Sequence, residues 1–109
     1  MTGRVEIRDN PDEHRFEATL DGELAGFAEY QVAADLIVFT HTEVEPRFEG
    51  NGVASALARH ALDSVAADGT RRVLPLCPFI KAWIGRNPEY VHLVYGAPDD
   101  TQGTGSPAG

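Results

Sequence analysis

The stretch Val44-Glu45-Pro46-Arg47-Phe48-Glu49-Gly50-Asn51-Gly52-Val53-Ala54 decides the fold of this chain, because the hydrophobic period changes within it. Before it, residues 36–44 form a β-branched and aromatic run that predicts a long central strand. After it, apolar residues recur at helical spacing as far as Ala66, and Gly69 follows as a natural helix end. A strand, a glycine-rich turn and a helix therefore meet at residues 44–54.

Upstream of this junction, the sequence predicts an antiparallel meander. Alternating segments begin at Val5 and His14, and Asp21-Gly22 is the two-residue signal for a tight hairpin. On the returning strand, 23–32, alternation places four residues on one face: Leu24, Gly26, Ala28 and Tyr30. On the strand 36–44 it places Phe39, His41 and Glu43 on one face, and Thr40 and Thr42 on the other.

Downstream, residues 71–76 predict one more strand, although Pro75 cannot donate a ladder hydrogen bond. A strand, helix and strand in this order favour a right-handed parallel crossover, so this strand should lie beside residues 36–44. Pro78 fits the first position of a short second helix that ends near Arg86, and residues 91–95 can add an edge strand. We expect an α+β fold with a mostly antiparallel mixed sheet, one long crossover helix and one short C-terminal helix.

Length and composition limit the classes of function. The chain has 109 residues, and 17 acidic against nine basic residues give a net charge of −8, which argues against nucleic-acid binding. No apolar stretch has the length of a membrane helix and no signal-peptide core follows the N-terminus, so we expect no membrane association and a cytoplasmic location. We expect one domain over residues 1–96 and a disordered tail over 97–109.

Metal and disulfide chemistry are also disfavoured. The single cysteine, Cys77, excludes an intrachain disulfide and a cysteine zinc site. His14, His60 and His92 have no companions at the spacing of metal ligands, so we predict no metal.

The junction at residues 44–54 has the features of an anion site. Free amides and the dipole at a helix start favour negative charge, and glycines let a phosphate approach the main chain. Arg47 can add a charge-assisted contact. A Walker loop is excluded because no lysine follows the glycines. A dinucleotide fingerprint needs a third glycine and an acid after a second strand, and Asp68 does not follow one. On the residues alone, glycines that merely turn the chain are the alternative.

The motif Arg47-x-x-Gly50-x-Gly52-x-Ala54, between a strand and a helix, resembles the acyl-CoA pyrophosphate motif of GNAT acetyltransferases. The blocks 41–44, Leu76-Cys77-Pro78-Phe79-Ile80 and Arg86-Asn87-Pro88-Glu89-Tyr90 extend the resemblance to small single-domain GNAT-like acetyltransferases, from about Val5 to Val94. The resemblance implies an N-acetyltransferase that uses acetyl-CoA and an amine acceptor, either a small molecule or a protein side chain. The alternatives are a CoA-binding or protein-interaction module without turnover, and a purely structural adaptor.

The resemblance also implies where the cofactor binds. The strands 36–44 and 71–77 would splay around the pantetheine arm, with Pro75 where the ladder is already broken. The expected cofactor-binding residues are Thr42, Val44, Arg47, Phe48, Glu49, Gly50, Asn51, Gly52, Val53 and Ala54. Only about five residues separate the first two strands, so the helices that usually wall the acceptor pocket are missing and the site should be open.

The expected catalytic residues are Cys77, His41 and Glu43. Cys77 precedes Pro78 at a helix N-cap, a position that favours a thiolate. The resemblance implies that this cysteine is an acyl-carrying nucleophile. The alternative is that Cys77 is buried apolar packing and that the amine attacks acetyl-CoA directly. His41 can take the proton of the incoming amine with Glu43 orienting it, or can be a hydrogen-bonded structural residue. The second helix has no tyrosine to act as general acid, and Tyr90 is a candidate only if the loop after Pro88 folds back.

Overall fold

The computed structural model describes residues 4–96, and the expected tail at 97–109 lies outside them. Its elements are β1 (Val5–Asn10), β2 (Arg15–Leu20), β3 (Glu23–Ala33), β4 (Leu36–Val44), a 3-10 turn (Pro46–Phe48), α1 (Val53–Asp68), β5 (Arg72–Pro75), α2 (Pro78–Arg86) and a second 3-10 helix (Pro88–Leu93). The five strands follow one another in the sheet in chain order. Only β4 and β5 are parallel, so the expected α+β architecture is confirmed.

Alternation along the strands buries one face of the sheet beneath the helices. On β2, Phe16, Ala18 and Leu20 are buried, and the residues between them are only half-buried. The tight turn at 21–22 joins β2 to β3 as predicted, and a short turn over residues 11–14 joins β1 to β2 without a helix. The opposite face, which we call the outer face, is half-buried or exposed in the described part of the chain.

Leu24 does not share the core face of β3, contrary to the prediction. The pairs Ala18–Gly26 and Thr19–Leu24 leave Ala25 as an extra residue, a β-bulge in β3. The bulge shifts the alternation by one residue, so Ala25 is buried and Leu24 is 43% exposed.

The two α-helices form as their periodicity predicts. The buried stripe of α1 consists of Val53, Leu57, Ala58, Ala61, Leu62 and Val65. Gly69 ends α1 in the left-handed conformation, and its N–H donates to the carbonyl of Val65. In α2, Ile80, Trp83 and Ile84 are buried and complete the same core. These contacts fix both helices on the inner face of the sheet.

Pro75 pairs with Phe39, so it lies within the ladder and not beyond its break. The main-chain nitrogens of Arg72 and Leu76 donate hydrogen bonds on the side of β5 that faces β4. The carbonyl of Val73 accepts a hydrogen bond from Tyr95 on the other side of β5, the outer edge of the sheet. Because main-chain groups alternate along a strand, the nitrogen of Pro75 also points to the outer edge, where β4 needs no donor.

The expected edge strand at 91–95 is wrong. Residues 88–93 form a 3-10 helix, and only Val94 makes an isolated bridge, to Val73. Pro88 fixes φ at the first helical position, and Tyr90 and Leu93 are both buried. Their spacing of three residues is that of a 3-10 helix and not of a strand.

Candidate active site

The parallel ladder between β4 and β5 ends at Phe39. Its carbonyl accepts from the nitrogens of Leu76 and Cys77, at 3.0 and 2.9 Å. The chain then turns away into α2, whereas β4 continues to Val44. We call residues 40–44 the open half of β4, because β5 no longer accompanies them, and residues 36–39 the closed half. The expected splay of the two strands is therefore present.

A second bulge, at Thr40, reverses the faces of the open half. Glu29 pairs with His41 and Tyr30 with Phe39, so Thr40 is the extra residue. Phe39 is fully buried, but His41 is exposed on the outer face. The prediction that these two side chains share a face is wrong, because alternation alone does not reveal a bulge.

The main chain of the open half faces the space that β5 has left. On β3, the nitrogen of Tyr30 donates to the carbonyl of His14, on the β2 side. Main-chain groups of successive residues point to opposite sides of a strand, so those of Glu29 point toward β4. There they form the main-chain hydrogen bonds of the ladder with the partner of Glu29, His41. The residue after that partner, Thr42, therefore points its N–H and C=O to the open side, as does Val44.

The turn between β4 and α1 forms a cradle. Gly50 and Gly52 have φ of 89° and 76°, and a Cβ built on either meets no atom within 4 Å. Asn51 Nδ2 donates to the carbonyl of Phe48 at 2.9 Å and braces the turn. Gly52 is the N-cap of α1, and neither a capping side chain nor an acid in the first turn satisfies the free amides.

A cavity of about 290 Å³ lies against this cradle. It is lined by Val44, Phe48, Glu49, Gly50, Gly52, Val53, Ala54 and Ser55. Seven of these residues are among the expected cofactor-binding residues, and Ser55 is not. Open space, left-handed glycines and uncapped amides fit the diphosphate of coenzyme A.

Arg47 does not line this cavity. Its guanidinium forms an ion pair with Glu23 and stacks on the ring of Phe48, with Cζ 4.5 Å from the ring centroid. Both partners of the ion pair are more than half exposed. The arrangement places the motif arginine beside the cradle, bound to a carboxylate of the chain itself.

Gly26 is a residue whose role at the site was not predicted. It lies opposite Val44, and a Cβ on it would be 2.6 Å from the carbonyl oxygen of Glu43. Only glycine permits this close approach of β3 to the open half of β4. The available signal was a glycine inside a strand, which often marks such an approach.

The three expected catalytic side chains lie on two faces of the sheet. Cys77 is 2% exposed at the N-cap of α2, and its Sγ is 3.3 Å from Oγ1 of Thr42 on the inner side. On the outer face, Nε2 of His41 is 3.1 Å from Oε1 of Glu43, and both side chains are more than half exposed. The ring of His41 also lies 6.2 Å from that of Phe27. The structure therefore separates the thiol from the His41–Glu43 pair.

Tyr90 does fold back, but onto α1. Its hydroxyl donates to Asp63 at 2.7 Å and accepts from Arg59 at 3.3 Å. The hydrogen bond to Asp63, together with burial, raises the pKa of Tyr90 above its ordinary value. The hydroxyl is thus engaged in a structural contact and is a weaker acid than a free tyrosine.

Residues 4–96 contain neither a metal-binding cluster nor a membrane-spanning helix. No group of three His, Cys, Asp or Glu side chains in that range is arranged to hold a metal ion. None of the helices formed there has the length and hydropathy needed to cross a membrane. The prediction that the protein uses no metal stays a prediction.

Solved structures share this fold at low sequence identity. A GCN5-like putative N-acetyltransferase from Staphylococcus aureus has a TM-score of 0.64 and 19% identity, over 90% of this chain and 95% of that chain. A ribosomal-protein-alanine N-acetyltransferase from Brucella melitensis has a TM-score of 0.57 and 14% identity, over 90% and 94%. The ribosomal-protein-S18-alanine N-acetyltransferase from Escherichia coli has a TM-score of 0.53 and 19% identity; the match covers 65% of this chain and only 64% of that enzyme. Such identities establish the fold alone.

No curated protein sequence matches the chain significantly. A family model does, and it is described as GCN5-related N-acetyl-transferase. It matches residues 15–93, from the start of β2 through the second 3-10 helix, and so includes the cradle, the open half of β4 and Cys77. The chain therefore belongs to the family of GCN5-related N-acetyltransferases.

Proposed function

We propose that this protein transfers the acetyl group of acetyl-CoA to an amine. One observation carries the proposal: the open half of β4 leads directly into the cradle at the start of α1. The open half offers main-chain partners for an amide-containing arm, and the cradle offers uncapped amides for a diphosphate. Coenzyme A contains both groups in this order.

The residues that would hold the cofactor follow from this placement. Thr42 and Val44 would pair with the pantetheine arm, and the main chain from Phe48 to Val53 would bind the diphosphate, with Arg47 beside it. Acetyl-CoA supplies an acetyl group that is already activated as a thioester. The N–H of Val44, which faces the open side, would stabilise charge on the thioester oxygen.

The outer face would supply the base. If Nε2–H of His41 donates to Glu43, Nδ1 is left as a proton acceptor. His41 would then take the amine proton as the nitrogen bonds to the acetyl carbon, the C–S bond breaks, and CoA leaves as thiolate. The exposure of this pair leaves room for a small amine or for a side chain of a protein.

A covalent route through Cys77 is the alternative. The thiol would take the acetyl group from CoA and pass it to the amine. Its burial and its contact with Thr42, on the face opposite His41, support direct attack instead. Mass spectrometry after incubation with acetyl-CoA would show an acetyl adduct on Cys77 if the covalent route operates, and Cys77→Ala would then lose turnover.

We further propose that residues 1–96 act as one catalytic domain in the cytoplasm, with neither nucleic acid nor membrane as partner. The net charge of −8 and the single, buried thiol of Cys77 support this.

A test of the cradle uses glycines at the two ends of α1. Gly52 and Gly69 have φ of 76° and 74°, and both have free space around a Cβ. Alanine at either position should cost about 1 kcal/mol of stability, because the left-handed conformation disfavours a side chain. Only Gly52→Ala should weaken CoA binding, by about tenfold or more, as a methyl group displaces the diphosphate from the amides. Calorimetric titration with CoA measures the affinity, and equal losses in both variants would refute the assignment.

A CoA-binding module without turnover is a second candidate. The absence of a tyrosine on α2 and the engaged hydroxyl of Tyr90 favour it, because neither α2 nor Tyr90 then supplies a free hydroxyl to protonate the leaving thiolate. Acetyl-CoA should release CoA when lysine peptides, N-terminal peptides or polyamines are added. Tight CoA binding without acceptor-dependent release across this panel would favour the module.

A further inference from the structure

The ion pair between Arg47 and Glu23 links two elements that the motif does not connect. Glu23 is the first residue of β3, and Arg47 is in the 3-10 turn between β4 and the cradle. The ring of Phe48 lies under the guanidinium and also lines the cavity. The guanidinium is therefore one side chain away from the cradle, but its charge is directed to Glu23.

Arg47 is the local source of positive charge. Among residues 36–58 it is the single lysine or arginine, and three acids, Glu43, Glu45 and Glu49, lie on either side of it. Glu49 also lines the cavity. An incoming diphosphate thus meets an acidic loop whose one guanidinium already has a carboxylate partner.

We propose that Glu23 sets the affinity for CoA by competing with its diphosphate for Arg47. This inference rests on the proposed function. In the free protein, the carboxylate of Glu23 holds the guanidinium outside the cavity, stacked on Phe48. On binding, the diphosphate replaces the carboxylate of Glu23 as the ion-pair partner of Arg47. Glu23 therefore sets the affinity without touching the cofactor.

The expected size of the effect follows from the exposure of the pair. An ion pair between exposed side chains is weak, so its removal should tighten CoA binding by about two- to fivefold. The gain should fade at about 1 M salt, where surface charges are screened. Pantetheine, which lacks the diphosphate, should gain nothing.

The experiment compares Glu23→Gln with Glu45→Gln in wild-type and Arg47→Gln backgrounds. Glu45→Gln is the matched control, because it removes the same charge next to the same turn. Glu45 is exposed and forms no ion pair within residues 4–96. Calorimetric titration with CoA and with pantetheine gives the affinities. We expect Glu23→Gln to tighten CoA binding in the wild-type background only, and to exceed any gain from Glu45→Gln.

Each contrary result overturns the proposal in a recognisable way. Weaker CoA binding by Glu23→Gln would mean that Glu23 positions Arg47 for the diphosphate and does not compete for it. An equal gain in the Arg47→Gln background would mean that Glu23 acts by general repulsion. No change would show that the pair is irrelevant to binding. If the wild-type protein itself fails to bind CoA, the proposed function fails together with the inference, whereas the other three results leave that function intact.

Discussion

The two halves of β4 belong to one strand but differ in what surrounds them. In the closed half, Leu36–Phe39, β3 and β5 supply partners on both sides, and Phe39 is fully buried beneath the helices. In the open half, 40–44, only β3 continues, and His41 and Glu43 are exposed. The closed half therefore serves stability, and the open half has main-chain and side-chain groups available for a ligand.

Two basic–acidic pairs on the outer face show the same contrast. Arg15–Glu17 and His41–Glu43 both join residues two apart on one strand. The first pair lies on β2, which has a neighbouring strand on each side, and its side chains are about one-fifth exposed. The second pair lies on the open half of β4, and its side chains are more than half exposed. Equal spacing thus gives a structural pair in one place and a chemically accessible pair in the other.

The largest effect should come from the closed half. Phe39→Ala removes a fully buried ring and should cost about 3–5 kcal/mol of unfolding free energy. His41→Ala, two residues along the same strand, should change stability by no more than about 0.5 kcal/mol because its side chain is exposed. Urea denaturation measures both, and Phe39→Leu provides a milder variant if alanine prevents folding. Comparable losses at the two positions would contradict the division of β4.

Much of the fold followed from the sequence because its signals are local. The apolar stripe of α1, the turn at Asp21-Gly22 and the glycine that ends α1 each depend on residues within a few positions. The order strand, helix, strand then required β5 to lie parallel to β4. The two bulges, at Ala25 and Thr40, had no such signal, since they depend on the register with a neighbouring strand.

The site was predicted in part for the same reason. The motif at 47–54 locates a cradle, and the structure adds its cavity and its open space. The separation of Cys77 from His41 could not be predicted, because it is a consequence of the bulge at Thr40. The pairing of Arg47 with Glu23 joins residues 24 positions apart and has no sequence signature.

A second, smaller effect should appear in turnover. His41→Gln should lower the rate of acetyl transfer by about 100-fold, because it removes the proton acceptor on the open half, and should leave CoA affinity unchanged. Arg15→Gln alters the corresponding member of the β2 pair and should leave the rate unchanged. Timed assays of CoA release give the rate of acetyl transfer, and calorimetric titration gives the affinity for CoA. Together they distinguish a loss of chemistry from a loss of binding. Equal rates in the two variants would remove His41 from the proposed mechanism.

The smallest effect concerns the pH dependence of stability. The hydrogen bond from Arg15 Nε to Glu17, at 2.8 Å, lowers the pKa of Glu17, with Asn10 adding to it and burial opposing it. A lowered pKa means that the folded state binds the proton less tightly than the unfolded state. Glu17 therefore contributes stability above the ordinary glutamate pKa, and this contribution is lost as the pH falls through the lowered, folded value.

Replacement of Glu17 by glutamine should remove this part of the acid response. Between about pH 5 and pH 3, the wild-type protein should lose about 0.5 kcal/mol more unfolding free energy than Glu17→Gln, as expected for one partly exposed pair. Glu43→Gln, in the exposed pair, is the matched control and should follow the wild-type curve. Urea titrations at several pH values give the three curves. If Glu43→Gln departs from the wild-type curve as far as Glu17→Gln does, the His41–Glu43 pair contributes to folding as much as the Arg15–Glu17 pair. Its exposure would then no longer set it apart for chemistry.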